Sequence, residues 1–200
     1  MERTFDFITD TCCGMPQEYI EAHGVTVLPL GYTIAGETYG GIEGKQLPPK
    51  EFYRLLREGN VCHTFQVTAE QAKPSVEASF KAGRDVVIVT FSSALSGTAS
   101  SFTIAANELM EKYPARKAFI VDSLGGSLGE GMLLEYLVKK ADAGASIEEV
   151  YAYGDWLRHR IAYLFTVDDL DCLRRGGRIS GAVAVVGLSL IHISEPTRPY

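Results

Sequence analysis

The chain has 200 residues, of which 46% are hydrophobic and 22% are charged, a composition typical of a soluble globular protein. Its formal net charge is −6, and it has no basic stripe to neutralise phosphates, which argues against a nucleic-acid partner. No apolar run reaches the length of a membrane span. The first residues lead into a strand-like segment and do not resemble a signal peptide, so we expect a cytoplasmic location.

Short apolar runs alternate with amphipathic stretches along the chain. The predicted strands and extended pieces cover residues 5–10, 25–30, 31–44 (an arm or hairpin), 61–67, 86–91, 117–122 and 163–167. The predicted helices cover residues 16–24, 50–57, 68–83, 96–113, 131–143, 146–160 and 168–174. This alternation predicts an α/β fold with a parallel sheet flanked by helices on both faces.

Local signals support several of these boundaries. Thr68 with Gln71, and Ser146 with Glu149, have the spacing of capping boxes at helix starts. Pro74 is expected to split the first turn of its helix from the rest. Composition alone shows no domain boundary.

Strand exits rich in small polar residues are the main functional signal. The segments 9–13, 92–98 and 123–127 each follow a predicted strand. Because parallel strands end at one edge of a sheet, these exits can line one crevice, and an extended piece containing Thr64 could reach it. Hydroxyls and backbone N–H groups at helix starts favour an anion, although helix capping alone explains many such residues.

Two alternatives remain open from the residues alone. Ser93 or Ser96 with His63 would suit a serine hydrolase or acyltransferase, although the G-x-S-x-G elbow is absent. A small-acid-sensing regulatory protein would use the same crevice. Arginines around the Gly-Gly turn form either an anion site or a docking patch for an acidic partner, or else they complement a helix C-terminus. These residues are Arg174, Arg175 and Arg178.

The cysteines do not predict a metal site. They show no C-x-x-C spacing and no accompanying histidine cluster, so zinc is not expected. No Walker loop and no G-x-G-x-x-G follow the first strand, so no nucleotide cofactor is indicated either. We expect reduced, partly buried thiols at Cys12, Cys13, Cys62 and Cys172.

Several motifs, taken in order, resemble the DegV family. The matching segments are Thr9–Pro16, Val27–Leu30, Glu51–Tyr53, Ser92–Thr98 with its Leu-Ser-Gly, Val121–Ser123 and Asp168–Ser180. The resemblance covers about residues 4–187 and implies residues 1–162 as the N-terminal α/β domain and 163–187 as the start of a second α/β domain, truncated here. The last stretch, 188–200, resembles a translated sequencing adapter and is expected to be a non-native tail.

The resemblance implies a bacterial protein that binds a long-chain fatty acid in an apolar tunnel between two domains. It implies that Thr64 and Ser96 hold the carboxylate, and that a separate fatty acid kinase subunit then makes the acyl phosphate for phospholipid synthesis. The binding protein itself would be non-catalytic and need no cofactor. The neighbouring positions assigned to the ligand site are Ser93, Gly97, Thr98, Thr11 and Ser123. The family's Thr-Ser-Gln-Pro motif reads Thr-Phe-Gln-Val at 64–67.

Overall fold

The computed structural model describes residues 3–42, 44–165, 167 and 170–179. The chain divides into two compact units after Tyr163. This division falls one residue after the predicted boundary at 162, and the domain assignment itself stays a prediction. The predicted adapter-derived tail, 188–200, lies outside the described residues.

The first unit alternates strands and helices. The strands in the described residues are β1 (Phe5–Asp10), β2 (Val25–Leu28), β3 (Gly31–Ile34), β4 (Glu37–Gly40), β5 (His63–Phe65), β6 (Asp85–Thr90) and β7 (Ala118–Asp122). The helices are α1 (Gln17–Ala22), α2 (Pro49–Arg57), α3 (Ala69–Lys81), α4 (Thr98–Lys112), α5 (Ser127–Asp142), α6 (Ile147–Leu157) and, in the second unit, α7 (Leu170–Arg175).

Four strands form a parallel sheet in the order β2-β1-β6-β7. The β-branched run 86–89 in β6 is fully buried, as expected for a central strand covered on both faces. Apolar side chains of α1, α5 and α6 pack on one face, and those of α3 and α4 pack on the other. The predicted α/β class with a parallel sheet is confirmed.

A second, antiparallel sheet has the order β4-β3-β5. The hairpin β3–β4 confirms the predicted arm over 31–44. The extended piece at 61–67 contributes β5, which pairs with β3, so Thr64 lies opposite Tyr32. Thr64 therefore does not lie on the edge of the parallel sheet, but on a small sheet connected to it.

Both capping boxes are confirmed: Thr68 accepts a hydrogen bond from the N–H of Gln71, and Ser146 accepts one from Glu149. The expected break at Pro74 was wrong, because α3 is continuous through it. Proline removes only the bond to the carbonyl four residues earlier, and Glu70 is exposed in the first turn, where water can reach it.

Two further boundaries differ from the predictions. Helix α5 begins at Ser127, four residues before the predicted start at 131, although glycines weaken its first turns. The predicted strand over 163–167 is wrong for 163–165, which are irregular. No described strand pairs with this segment, and Leu164 and Phe165 are 98% and 81% exposed. An unpaired segment gains no ladder hydrogen bonds.

Candidate functional site

The polar exits of β1, β6 and β7 meet at one edge of the parallel sheet, as the sequence predicts. Asp10 Oδ2 accepts a 2.9 Å hydrogen bond from the N–H of Phe91, which joins the exits of β1 and β6. The N–H of Ser92 donates to the carbonyl of Gly125 at 2.8 Å, which joins the exits of β6 and β7. These bonds hold the three hydroxyl-rich turns side by side at this edge of the sheet.

The turn before α4 presents two hydroxyls that contact each other. The Oγ atoms of Ser96 and Thr98 lie 2.9 Å apart, and the N–H of Thr98 donates to Ser96 Oγ at 3.2 Å. Thr98 is fully buried, whereas Ser96 is partly exposed. Ser96 is therefore the hydroxyl of this pair that a ligand can reach, with Thr98 holding it in place.

Gln66, the residue that follows β5, connects this strand to the start of α4. Gln66 Nε2 donates to Ser101 Oγ at 3.1 Å, and a Cβ placed on Gly97 would lie 2.1 Å from Gln66 Oε1. The absence of a side chain at Gly97 allows this approach. Thr64 is exposed and lies in β5, two residues before Gln66.

The other predicted ligand residues make local contacts. The hydroxyl of Ser93 donates to the carboxylate of Asp122, and its N–H donates to the same group at 3.2 Å. The buried Ser123 hydroxyl donates to the carbonyl of Gly125 at 3.0 Å. Thr11 Oγ1 accepts from the N–H of Leu30 at 3.0 Å and is exposed. Ser93, Ser123 and Thr11 thus stabilise the local turns, and a ligand contact by any of them stays a prediction.

Exposed apolar side chains lie in the exit of β7 and on the helix α5 that follows it. Leu128, Met132 and Tyr136 are 75%, 39% and 44% exposed, and their four-residue spacing places them on one face of α5. Leu124, in the exit of β7, is 41% exposed. A contiguous apolar face of this kind on a folded unit indicates an interaction site for something apolar.

Two fully buried acids, Asp10 and Glu130, lie next to these turns, and the sequence analysis did not identify them as site residues. Burial raises the pKa of Asp10 above its usual value, although its hydrogen bonds from the backbone N–H groups of Phe91 and Cys12 oppose this rise. Burial, together with the nearby Asp10, raises the pKa of Glu130 to about 9. Its Oε2 atom has no hydrogen-bond partner among the described residues. The only sequence signal was an acid between two glycines, Gly129 and Gly131, at a helix start.

The exit of β7 contains backbone strain. Leu124 and Ser127 have φ angles of 61° and 53°, a left-handed backbone conformation that residues other than glycine rarely adopt. Tyr163 holds this loop, since its hydroxyl donates to the carbonyl of Ser123 at 2.7 Å. Strained non-glycine residues cluster at ligand sites, so this loop is a further candidate for ligand contact.

In the second unit, α7 ends at a Gly-Gly turn. The N–H of Gly177 donates to the carbonyl of Arg174 at 3.0 Å, and the N–H of Arg178 donates to the carbonyl of Leu173 at 2.9 Å. Arg174 and Arg175 lie in the last turn of α7. Cations there also complement the helix end, so the docking role of these arginines stays a prediction.

Among the described residues we find neither an assembled serine–histidine site nor a metal site. His63 lies exposed on β5, and the partner of the Ser93 hydroxyl is a carboxylate. Within residues 3–42, 44–165, 167 and 170–179, no group of three or more acidic, histidine or cysteine side chains is placed to hold a metal ion. None of the helices in that part of the chain has the length and apolar character needed to cross a bilayer.

Comparison with known proteins identifies relatives along nearly the whole chain. The sequence profile of the DegV family, described as uncharacterised proteins, matches residues 4–193, which includes part of the stretch assigned to a non-native tail. A DegV domain-containing protein of Clostridium perfringens is 37% identical over 191 residues, covering 96% of this chain and 65% of that protein. The chain thus spans slightly less than two thirds of this relative.

Solved structures show the same fold. A DegV family protein from Thermus thermophilus, described in terms of fatty acid binding, is 32% identical with a TM-score of 0.79, and the match covers 93% of this chain and 64% of that one. DegV of Bacillus subtilis, described as a fatty acid binding protein, is 26% identical with a TM-score of 0.75 over the same shares of the two chains.

Proposed function

This chain belongs to the DegV family, and from that premise we propose that it binds a long-chain fatty acid whose carboxylate accepts hydrogen bonds from Ser96 and Thr64. The observation that supports the proposal is the contact of Gln66, two residues after Thr64, with Ser101 and Gly97 at the start of α4, the helix that follows the Ser96 turn. The relatives described as binding fatty acids support it.

The hydroxyls suit a carboxylate. A neutral donor that bonds a charged acceptor contributes about 1.5–3 kcal/mol, so two such bonds can orient a head group without a cation. Thr98 already bonds Ser96, which fixes the Ser96 rotamer before the ligand arrives. A group fixed in advance loses less conformational entropy on binding.

The acyl chain is proposed to lie in an apolar tunnel between this α/β unit and a second α/β domain, as the family resemblance implies. The apolar face of α5, with Leu128 and Met132, would provide one wall on the first unit. Burying an apolar chain contributes about 0.8 kcal/mol per methylene, which would make the tail the main source of affinity.

We propose further that the protein acts in the cytoplasm as a non-catalytic carrier, and that it presents the bound acid to a separate kinase. The arginines of the α7 turn are proposed to dock that partner. The loaded protein, ATP and the partner kinase should then yield an acyl phosphate. Replacement of Arg175 by glutamate should reduce this product while fatty acid binding is retained, and Arg57→Glu, at an exposed position of α2, is the matched control.

The binding proposal is tested with the full chain freed of lipid. Oleic acid is added, and the melting temperature and the lipid retained after gel filtration, identified by mass spectrometry, are measured. We expect a rise in melting temperature and about one acyl chain per protein, because a ligand that binds only the folded state stabilises it. An unchanged melting temperature with no retained lipid would contradict the proposal.

A further inference from the structure

The outer edge of β7 borders a cleft of about 440 Å³. β7 is the last strand of the parallel sheet, and within the described chain no strand pairs with its outer side. Helix α4 forms one wall of the cleft and α6 the other, while Ile120 and Val121 belong to its floor. An open strand edge is a template on which another extended chain can pair.

The register of β7 against β6 determines which backbone groups face this cleft. The N–H of Val86 donates to the carbonyl of Lys117, and the N–H of Ser123 donates to the carbonyl of Thr90. Because the N–H and C=O of one residue face the same side in a parallel ladder, the odd-numbered residues of this stretch turn toward β6. The residues whose backbone N–H and C=O groups face the cleft are Ala118, Ile120 and Asp122.

We propose that this edge binds an extended, basic peptide segment, which adds as a fifth strand of the sheet. The charged side chains lining the cleft are Asp122, Asp155 and Arg158, so acids outnumber bases there. Arg158 Nη2 lies 2.7 Å from Asp155 Oδ1, yet the Asp155 side chain remains 53% exposed and can pair with an incoming cation.

The overall charge favours a basic partner over a second copy of this chain. Each copy has a formal net charge of −6, so edge-to-edge pairing of two copies would bring like charges together at the cleft. A segment containing lysine or arginine would instead be attracted to it, and such attraction also raises the rate of association.

The two walls of the cleft differ, which constrains the sequence of the segment. The α4 wall presents Ser100, Thr103 and Ile104, and the α6 wall presents Tyr151 beside Asp155. Since successive side chains of a strand point to opposite faces, residues facing α4 would be apolar or carry a hydroxyl. A residue facing α6 would be the basic one, next to Asp155.

The test uses the full chain labelled with ¹⁵N and the pentapeptide Ac-Thr-Val-Lys-Val-Thr-NH₂ as the probe. We expect saturating peptide to slow amide exchange of Ile120 and Asp122 at least about tenfold, because their N–H groups would become paired. Exchange at Phe119 and Val121, which already face β6, should stay unchanged. Unaltered exchange at Ile120 would overturn the proposal.

Charge is tested separately. Asp155→Asn should weaken binding of the lysine peptide about two- to fivefold, the scale of one exposed ion pair. The matched control, Glu111→Gln, lies at an exposed position of α4 outside the cleft lining and should change nothing. Equal binding of Ac-Thr-Val-Glu-Val-Thr-NH₂ would overturn the basic partner. If amide exchange at Ile120 slowed with rising protein concentration in the absence of peptide, a second copy of the chain would be the occupant. That result would also overturn the proposal of a basic partner.

Discussion

The hydroxyl of Thr9 donates a 3.3 Å hydrogen bond to Oε1 of Glu130 in the core, where both side chains are fully buried. The other carboxyl oxygen of Glu130 has no partner among the described residues. Because burial raises the pKa of Glu130 to about 9, the folded protein keeps this carboxyl protonated at neutral pH. The unfolded chain ionises it there, so folding is coupled to proton uptake.

Replacing Glu130 with glutamine is therefore expected to alter how stability depends on pH. The pKa of Glu130 in the folded protein lies above its ordinary value of 4.5. The stability contributed by the bound proton is therefore fully present below pH 4.5 and is lost as the pH rises toward 9. Across this window the free energy of unfolding of the wild type should fall relative to Glu130→Gln by roughly 1.4 kcal/mol per pH unit.

Urea denaturation from about pH 5 to about pH 8 measures this difference. Glu135→Gln is the control, because Glu135 lies on the same helix but forms a surface ion pair with Lys139. Parallel curves for the wild type and Glu130→Gln would show that the buried carboxyl is not protonated.

The proposed head-group contacts predict matched losses of affinity. Ser96→Ala and Thr64→Val should each weaken binding of oleic acid by about 1–3 kcal/mol, because each removes one hydrogen bond to the carboxylate. The controls are Ser100→Ala, in the first turn of α4, and Thr38→Val, at an exposed position of the same small sheet. Titration of lipid-free protein gives the affinities. Loss of affinity in the controls as well would point to a general disturbance of structure.

Local signals predicted much of the fold, because they act within a few residues. The box of Thr68 and Gln71 fixes a helix start by two short-range bonds, and the apolar run in β6 needs only its own side chains to mark a buried strand. Pairing of β5 with β3 was not predictable in this way. It depends on contacts between residues about 30 positions apart, which a single sequence does not display.

In the candidate site, too, the features set by neighbouring residues were predictable and those that depend on distant contacts were not. The hydroxyl turn around Ser96 was visible as a motif, and its neighbours in the chain hold it. Glu130 was missed, since its burial depends on residues far away in the sequence: Thr9 bonds its carboxyl group, and the neighbouring Gly131 packs against the carbonyl of Cys13. Gln66 was missed for the same reason, because its role arises only from its approach to Gly97.

Gly97→Ala tests that approach. The added methyl group would meet the Gln66 side chain, whose hydrogen bond to Ser101 would be displaced. We expect a loss of about 1–2 kcal/mol in the free energy of unfolding, because overpacking and a lost hydrogen bond are of that size. In a Gln66→Ala background the same substitution should cost much less, since the colliding atoms are gone. A double-mutant cycle by chemical denaturation measures this coupling, and purely additive effects would contradict it.

A fluorophosphonate probe distinguishes the carrier from a serine hydrolase. We expect no labelling of Ser93, because its hydroxyl donates to Asp122 and no described histidine holds it as a base. Intact-mass spectrometry of the full chain after incubation, beside a known serine hydrolase as positive control, measures this. A stoichiometric adduct on Ser93 or Ser96 would favour the hydrolase.

The two proposed head-group residues belong to different sheets. Ser96 follows β6 of the parallel sheet, whereas Thr64 lies on β5 of the hairpin sheet. A carboxylate bonded to both would cross-link the sheets, so the empty protein would allow β5 more independent motion than the filled one. A partner protein that contacts β5 could then distinguish the lipid-bound protein from the lipid-free protein by the mobility of this strand, without contacting the lipid itself.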